Sequence, residues 1–140
     1  MHEFDAKNTD AIELLRQSPS SVIRWHPTHV CPLGNQCPSD IVVIIGGYQR
    51  CGLCPFAAKC VDHLPAMAGK KNELKERIRM SAQRIRVMEE RGASQEMLAC
   101  LHKGMENDAK ELTGWELSAD ILHRKLEEMG DDGTYHVDKP

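Results

Sequence analysis

Over the second half of the chain the apolar positions recur at helical spacing. Leu74, Ile78, Ser81, Ile85 and Met88 follow one another at alternating intervals of four and three. After a break at Gly92-Ala93-Ser94, the rhythm resumes through Leu98, Leu101, Met105, Asp108, Leu112, Trp115, Ala119, Leu122, Leu126 and Met129. Such intervals bring one apolar seam to one side of a helix. Ser94 is a suitable N-cap for the second run. Residues 65–130 are therefore predicted to form a long antiparallel helical hairpin. Asp108 interrupts the seam, and Gly104 and Gly114 each weaken the second helix by about 1 kcal/mol relative to Ala, so a kink or split is expected there.

The first half is patterned differently. Asp10 and Glu13, followed by Leu14 and Leu15, read as the start of a short amphipathic helix that SPSS at 18–21 ends. Val22–Trp25 has the character of a strand stopped at His26-Pro27. The run IVVII at 41–45 carries a strong β signal, Gly46-Gly47 suits a two-residue turn, and Tyr48–Arg50 would return as the second strand of a β-hairpin. Pro55 suits the first turn of a helical segment, PFAAKCVDHL, which would set Cys60 and His63 on one face. The fold class expected is mainly α. A short helix and a small Cys-rich, zinc-ribbon-like β-hairpin module occupy residues 1–64, the helical hairpin residues 65–130, and a flexible tail residues 131–140.

Cysteine placement changes the picture most. Five of the six cysteines fall between Cys31 and Cys60. The amino terminus, MHEFDAKNTD, lacks the apolar run of an export signal. No apolar stretch is long enough to cross a bilayer. A reducing cytoplasm is thus the expected compartment, where clustered cysteines bind metal more often than they pair as disulfides. Cys51-Gly52-Leu53-Cys54 is a tight loop of the kind that offers two thiolates to one zinc ion. Cys31 and Cys37 stand at the start of the same window. Cys60 and His63 complete the candidate ligand set, with His26 and His29 as further imidazoles.

Four thiolates also suit an iron–sulfur cluster. The order Cys37-x13-Cys51-x2-Cys54-x5-Cys60 resembles the cluster-binding pattern of WhiB-type transcriptional regulators, and CGLCPFAAKC resembles the cluster segment of RecB-like exonucleases. Both resemblances imply a [4Fe-4S] cluster in place of zinc. The Gly-x-Trp-Gly-Gly of the first family and the acidic nuclease core of the second do not occur in this chain. The longer stretch HVCPLGNQCPSDIVVIIGGYQRCGLCPFAAKCVDHLPA resembles Cys-rich segments of integrase-like, tyrosine-recombinase-associated proteins of bacterial mobile elements. That resemblance implies an accessory, DNA-associated module, with a recombinase as its protein partner. The recombinase's own catalytic set is missing, since His123-Arg124 is not His-x-x-Arg and neither Tyr48 nor Tyr135 has the nucleophile's context.

Charge narrows the partners. A net charge of −3 excludes a uniformly basic nucleic-acid binder. Residues 65–91 nevertheless carry eight Lys and Arg against four Glu, and Lys70, Lys71, Lys75, Arg79 and Arg86 are the candidate contacts to DNA or to a protein partner. The alternative is that this basic helix complements the acidic one across the seam. A homodimer through the helical hairpin is a further expectation. No phosphate-binding Gly loop, His-Glu-x-x-His motif or framed carboxylate pair is present, so no active site is expected. Cys100, Met97, Met105, Met129 and Trp115 are expected to be packing residues. The sequence leaves three readings: a non-catalytic zinc module for DNA-linked protein interaction, an iron–sulfur redox or iron sensor, and a structural helical adaptor.

Overall fold

A computed structural model describes residues 9–131 of the chain. The protein is mainly helical. Helix α1 spans Thr9–Gln17, and Ser18 closes it by donating its hydroxyl to the Leu14 carbonyl at 2.7 Å. Strands β1, Arg24–Trp25, and β2, Val30–Cys31, pair antiparallel with Arg24 opposite Cys31 and Trp25 opposite Val30. Val30 also bridges Ala58, exchanging backbone hydrogen bonds of 2.8 and 2.9 Å. Val30 and Ala58 are fully enclosed and form a small core with Leu15 and Ile23.

The predicted hairpin at 41–50 does not form. Its apolar run is instead helix α2, Ser39–Ile45. Pro38 supplies the extended residue that precedes the helix, and Asp40 sits in its first turn. Gly46 ends it at φ 87°, a left-handed conformation that suits glycine. The amides of Gly46 and Gly47 both donate to the Val42 carbonyl, at 3.0 and 3.1 Å. β-Branched side chains favour strands mainly through their packing. Here the caps and the packing select helix: Ile41 and Ile45 turn toward the cysteines while Val43 and Ile44 stay 81% and 77% exposed.

The expected helical turn over 55–64 is also displaced. Residues 55–60 run through turns and the bridge at Ala58. A 3-10 turn over Val61–His63 then leads into α3, Leu64–Glu90, with Pro65 in its first turn. Helix α4 spans Gln95–Asp131 without interruption at Gly104 or Gly114. Ser94 Oγ accepts the Met97 amide at 3.2 Å, as an N-cap should. Helices α3 and α4 pack on one another as the predicted hairpin. All but one of the expected tail residues lie outside the described residues.

The seam positions face inward throughout. Met67, Leu74, Trp115, Ala119 and Leu122 form the main core, with Cys51, Val61, Leu64 and Leu112 packed against it. Burying a Leu or Met side chain contributes about 1.5–3 kcal/mol. Cys100 is exposed and Met97 is 47% exposed, so these two are surface residues of α4 rather than packing residues. Among the described residues no helix is long and apolar enough to cross a membrane.

Candidate metal centre

Gly52 explains how the cysteine loop finds its seat. A Cβ at Gly52 would lie 2.6 Å from Trp115 Cδ1, and a Cβ at Gly114 would collide with the Gly52 carbonyl oxygen. The Cys51–Cys54 turn therefore lies directly on α4, at a place where neither backbone has a side chain. Hydrogen bonds from Leu53 N–H to Arg50 O, 3.0 Å, and from Ala57 N–H to Cys54 O, 3.3 Å, shape the turn itself.

A polar network fastens the same loop. Arg50 Nη1 bonds to Asp108 Oδ1 at 2.9 Å and to Glu111 Oε1 at 3.2 Å, and its Nε donates to Gly46 O at 3.2 Å. Arg77 of α3 reaches the same Asp108 oxygen at 2.6 Å. Trp115 Nε1–H donates to Glu111 Oε2 at 3.1 Å, and Lys59 Nζ lies 5.1 Å from the centroid of the Trp115 ring. Asp108 and Glu111 are buried, and a buried carboxylate needs such partners. Asp108 thus breaks the apolar seam because it joins three segments of the molecule.

Four of the predicted ligands come together. Cys31 at the end of β2, Cys37 ahead of α2, and Cys51 and Cys54 of the turn line one cavity of about 20 Å3, together with the apolar Leu33, Ile41 and Ile45 and the polar Asn35, Gln49 and Arg50. That is about the space one water-sized sphere requires. Among the described residues, no three His, Cys, Asp or Glu already stand grouped as an ion site. The thiols share a cavity without forming a completed coordination shell.

Their electrostatics follow from this enclosure. Burial, then the neighbouring Cys54, Cys31 and Cys37, and last Glu111, push the Cys51 thiol up to about 12. Burial likewise raises Cys54, while the amides of Phe56 and Ala57, which hydrogen-bond to it, act in the opposite direction. The Gln49 amide donates to Cys37 Sγ at 3.3 Å. Metal-free, the cavity favours neutral thiols at Cys51 and Cys54. A dication reverses that preference, because it supplies the charge that thiolates need. By type the donors are those a thiophilic ion prefers, four sulfurs with backbone N–H groups directed at them, while their present spacing is not that of a bound site.

Of the remaining candidates only His29 lines this cavity. Cys60 and His63 do not line this cavity. They cap the 3-10 turn reciprocally, the Cys60 amide donating to His63 Nδ1 at 3.0 Å and the His63 amide to the Cys60 sulfur. His26 Nε2 pairs with Asn35 Oδ1 at 2.7 Å, and its ring stacks on that of His29. His29, which does line the cavity, is buried; that burial, and then the nearby His26, Lys59, His63 and Lys70, bring it down to about 3, so it is neutral.

On α3, helical spacing gives Lys71, Lys75, Arg79 and Arg86 one flank, beside the seam. Arg79 is bidentate to Glu76, and Lys70 lies 3.7 Å from Glu73. Charge pairing runs mostly along each helix in this way, with Arg77–Asp108 crossing between the two. Sequence reasoning missed Arg50, Glu111 and the Gly52–Gly114 contact; the lone acid at 108 in an apolar seam was the signal that a buried partner existed. No protein-family model matches the chain, and comparison with curated proteins and with solved structures likewise gives no significant match.

Proposed function

We propose that this protein is a non-catalytic accessory module in which Cys31, Cys37, Cys51 and Cys54 hold one zinc ion beside a helical hairpin. The ion substitutes for a core that the irregular segment 24–63 is too short to build, and its binding free energy becomes folding free energy. The hairpin then offers partners a long, rigid surface. Lys71, Lys75, Arg79 and Arg86 suit a phosphate backbone or an acidic protein face. By the resemblance of residues 29–66, the setting is site-specific recombination of a mobile element, with a recombinase as the protein partner.

One observation carries this reading: four thiols from three segments of the chain line a single small cavity whose volume suits one ion. Elemental analysis of anaerobically purified protein tests it. One zinc per chain is expected, lost in Cys51→Ser and Cys54→Ser and kept in Cys100→Ser. Protein free of metal in both purification and reconstitution would refute it. Iron with acid-labile sulfide would instead favour the sensor reading, in which Cys37, Cys51, Cys54 and Cys60 hold a cluster.

A further inference from the structure

His29 carries an unsatisfied atom. The residue is 5% exposed, and among the described residues its Nε2 has no hydrogen-bond partner, the cysteine sulfurs included. The ring is not free to turn and seek one. Its Nδ1 lies 2.8 Å from Thr28 Oγ1, it stacks on His26 with ring centroids 4.5 Å apart, and Trp115 is tilted against it at 6.0 Å. The backbone holds it too, through the reciprocal His26–His29 amide bonds that close the β1–β2 turn. Leaving a buried polar nitrogen unpaired is costly, so this atom calls for a partner.

The surroundings indicate what that partner is. His29 lines the same cavity as Cys31, Cys37, Cys51 and Cys54. Four thiolates around one dication leave two units of negative charge in a cavity whose lining includes one cation, Arg50, and N–H groups donated to sulfur spread that charge. Gln49, Phe56 and Ala57 supply such donors from the backbone. With four sulfurs already available to a tetrahedral ion, an imidazole is needed as a donor to sulfur and not as a fifth ligand.

We propose that His29 is a positioning residue of the four-cysteine centre: when the sulfurs draw in around a metal, its Nε2–H donates a hydrogen bond to one of the thiolates, while the Thr28 hydroxyl donates to Nδ1 and fixes that tautomer. This rests on the zinc reading above. The test compares wild type, His29→Phe and His29→Gln, loaded with Zn2+ under anaerobic conditions and competed with a chromogenic zinc chelator. His29→Phe is expected to keep one zinc per chain yet bind it about 10–100-fold more weakly. His29→Gln, whose amide can donate, should recover part of the loss. Cobalt-substituted wild type and His29→Phe should give the same sulfur-to-cobalt charge-transfer bands. Long-range 1H–15N spectra of zinc-loaded wild type should report His29 protonated at Nε2 and bare at Nδ1, a readout that needs no variant to fold.

Equal affinity in His29→Phe, or a proton found on Nδ1, overturns the proposal. So does loss of stoichiometry in His29→Phe with a changed cobalt spectrum, which would make His29 a ligand. Wild type that takes up no zinc defeats the underlying reading first, and that failure is visible without any His29 variant.

Discussion

Gly52 and Gly114 touch through their backbones: the Gly52 carbonyl oxygen occupies the space a side chain on residue 114 would fill. The cysteine turn and the long helix approach one another as closely as two chains can. An alanine at either position must push the turn off α4 or displace Trp115. Gly52→Ala and Gly114→Ala are each expected to destabilise the fold by about 1–3 kcal/mol. Gly104→Ala is the control. No atom stands within 4 Å of a Cβ there, so the variant should gain about 0.5–1 kcal/mol from helix propensity alone. Urea unfolding of the three variants measures both signs.

Asp108 accepts from Arg50 and Arg77 with its own side chain 9% exposed. Asp108→Ala is expected to cost about 3 kcal/mol, at the low end for a broken buried pair because Glu111 still holds Arg50. Arg50→Ala should cost more than Arg77→Ala, since their side chains are 15% and 45% exposed. Denaturant midpoints at constant slope report the order.

If the cysteines hold zinc as proposed, removing the ion should loosen the cysteine segment before the hairpin. With free zinc at a thousandfold over its dissociation constant, bound metal contributes about 4 kcal/mol. A chelator is therefore expected to lower the melting temperature of wild type and to leave Cys51→Ser, already metal-free, unchanged. Far-UV ellipticity should fall only slightly at the first transition, because α3 and α4 pack through their own seam.

Zinc uptake should acidify the solution. Burial holds the Cys51 thiol near 12 and raises Cys54 as well, so both are protonated in the metal-free protein at neutral pH. Binding as thiolates releases about two or more protons per ion, and apparent affinity rises with pH. Calorimetric titrations in two buffers of different ionisation enthalpy count them.

Charge reversal on the α3 flank separates the partner classes. Lys75→Glu, Arg79→Glu and Arg86→Glu together should leave helicity unchanged, since all three side chains are exposed. If this flank meets phosphate, retention on DNA falls sharply, and the slope of log affinity against log salt shrinks by about 0.9 for each phosphate no longer neutralised. Unchanged partner binding would instead favour the structural adaptor.

The helical hairpin was legible because its seam repeats over many turns, and a long periodic signal outweighs two glycines and one acid. The run at 41–45 was not, because five β-branched residues satisfy either period. Its flanks carried the deciding signs, with Pro38 and Asp40 before it and Gly46 after it. The choice among five cysteines depended on folding: Cys60 lies beyond the Val30–Ala58 bridge and caps a turn, whereas Cys31 faces the cavity. Gly52 falls inside a tight Cys-x2-Cys loop, where a glycine needs no distant partner to account for it. Its partner sits 62 positions later in the chain, a separation at which local reasoning has no purchase.

Arg50 and Cys51 are consecutive residues, one gripping the acids of α4 and the other lining the sulfur cavity. Tension at either end of that peptide is felt at the other. On the zinc reading proposed above, a partner that levers the hairpin apart near Asp108 would tug on a sulfur ligand, and loss of the ion would slacken the hairpin's grip, so the pair would act as a mechanical linkage between metal supply and docking.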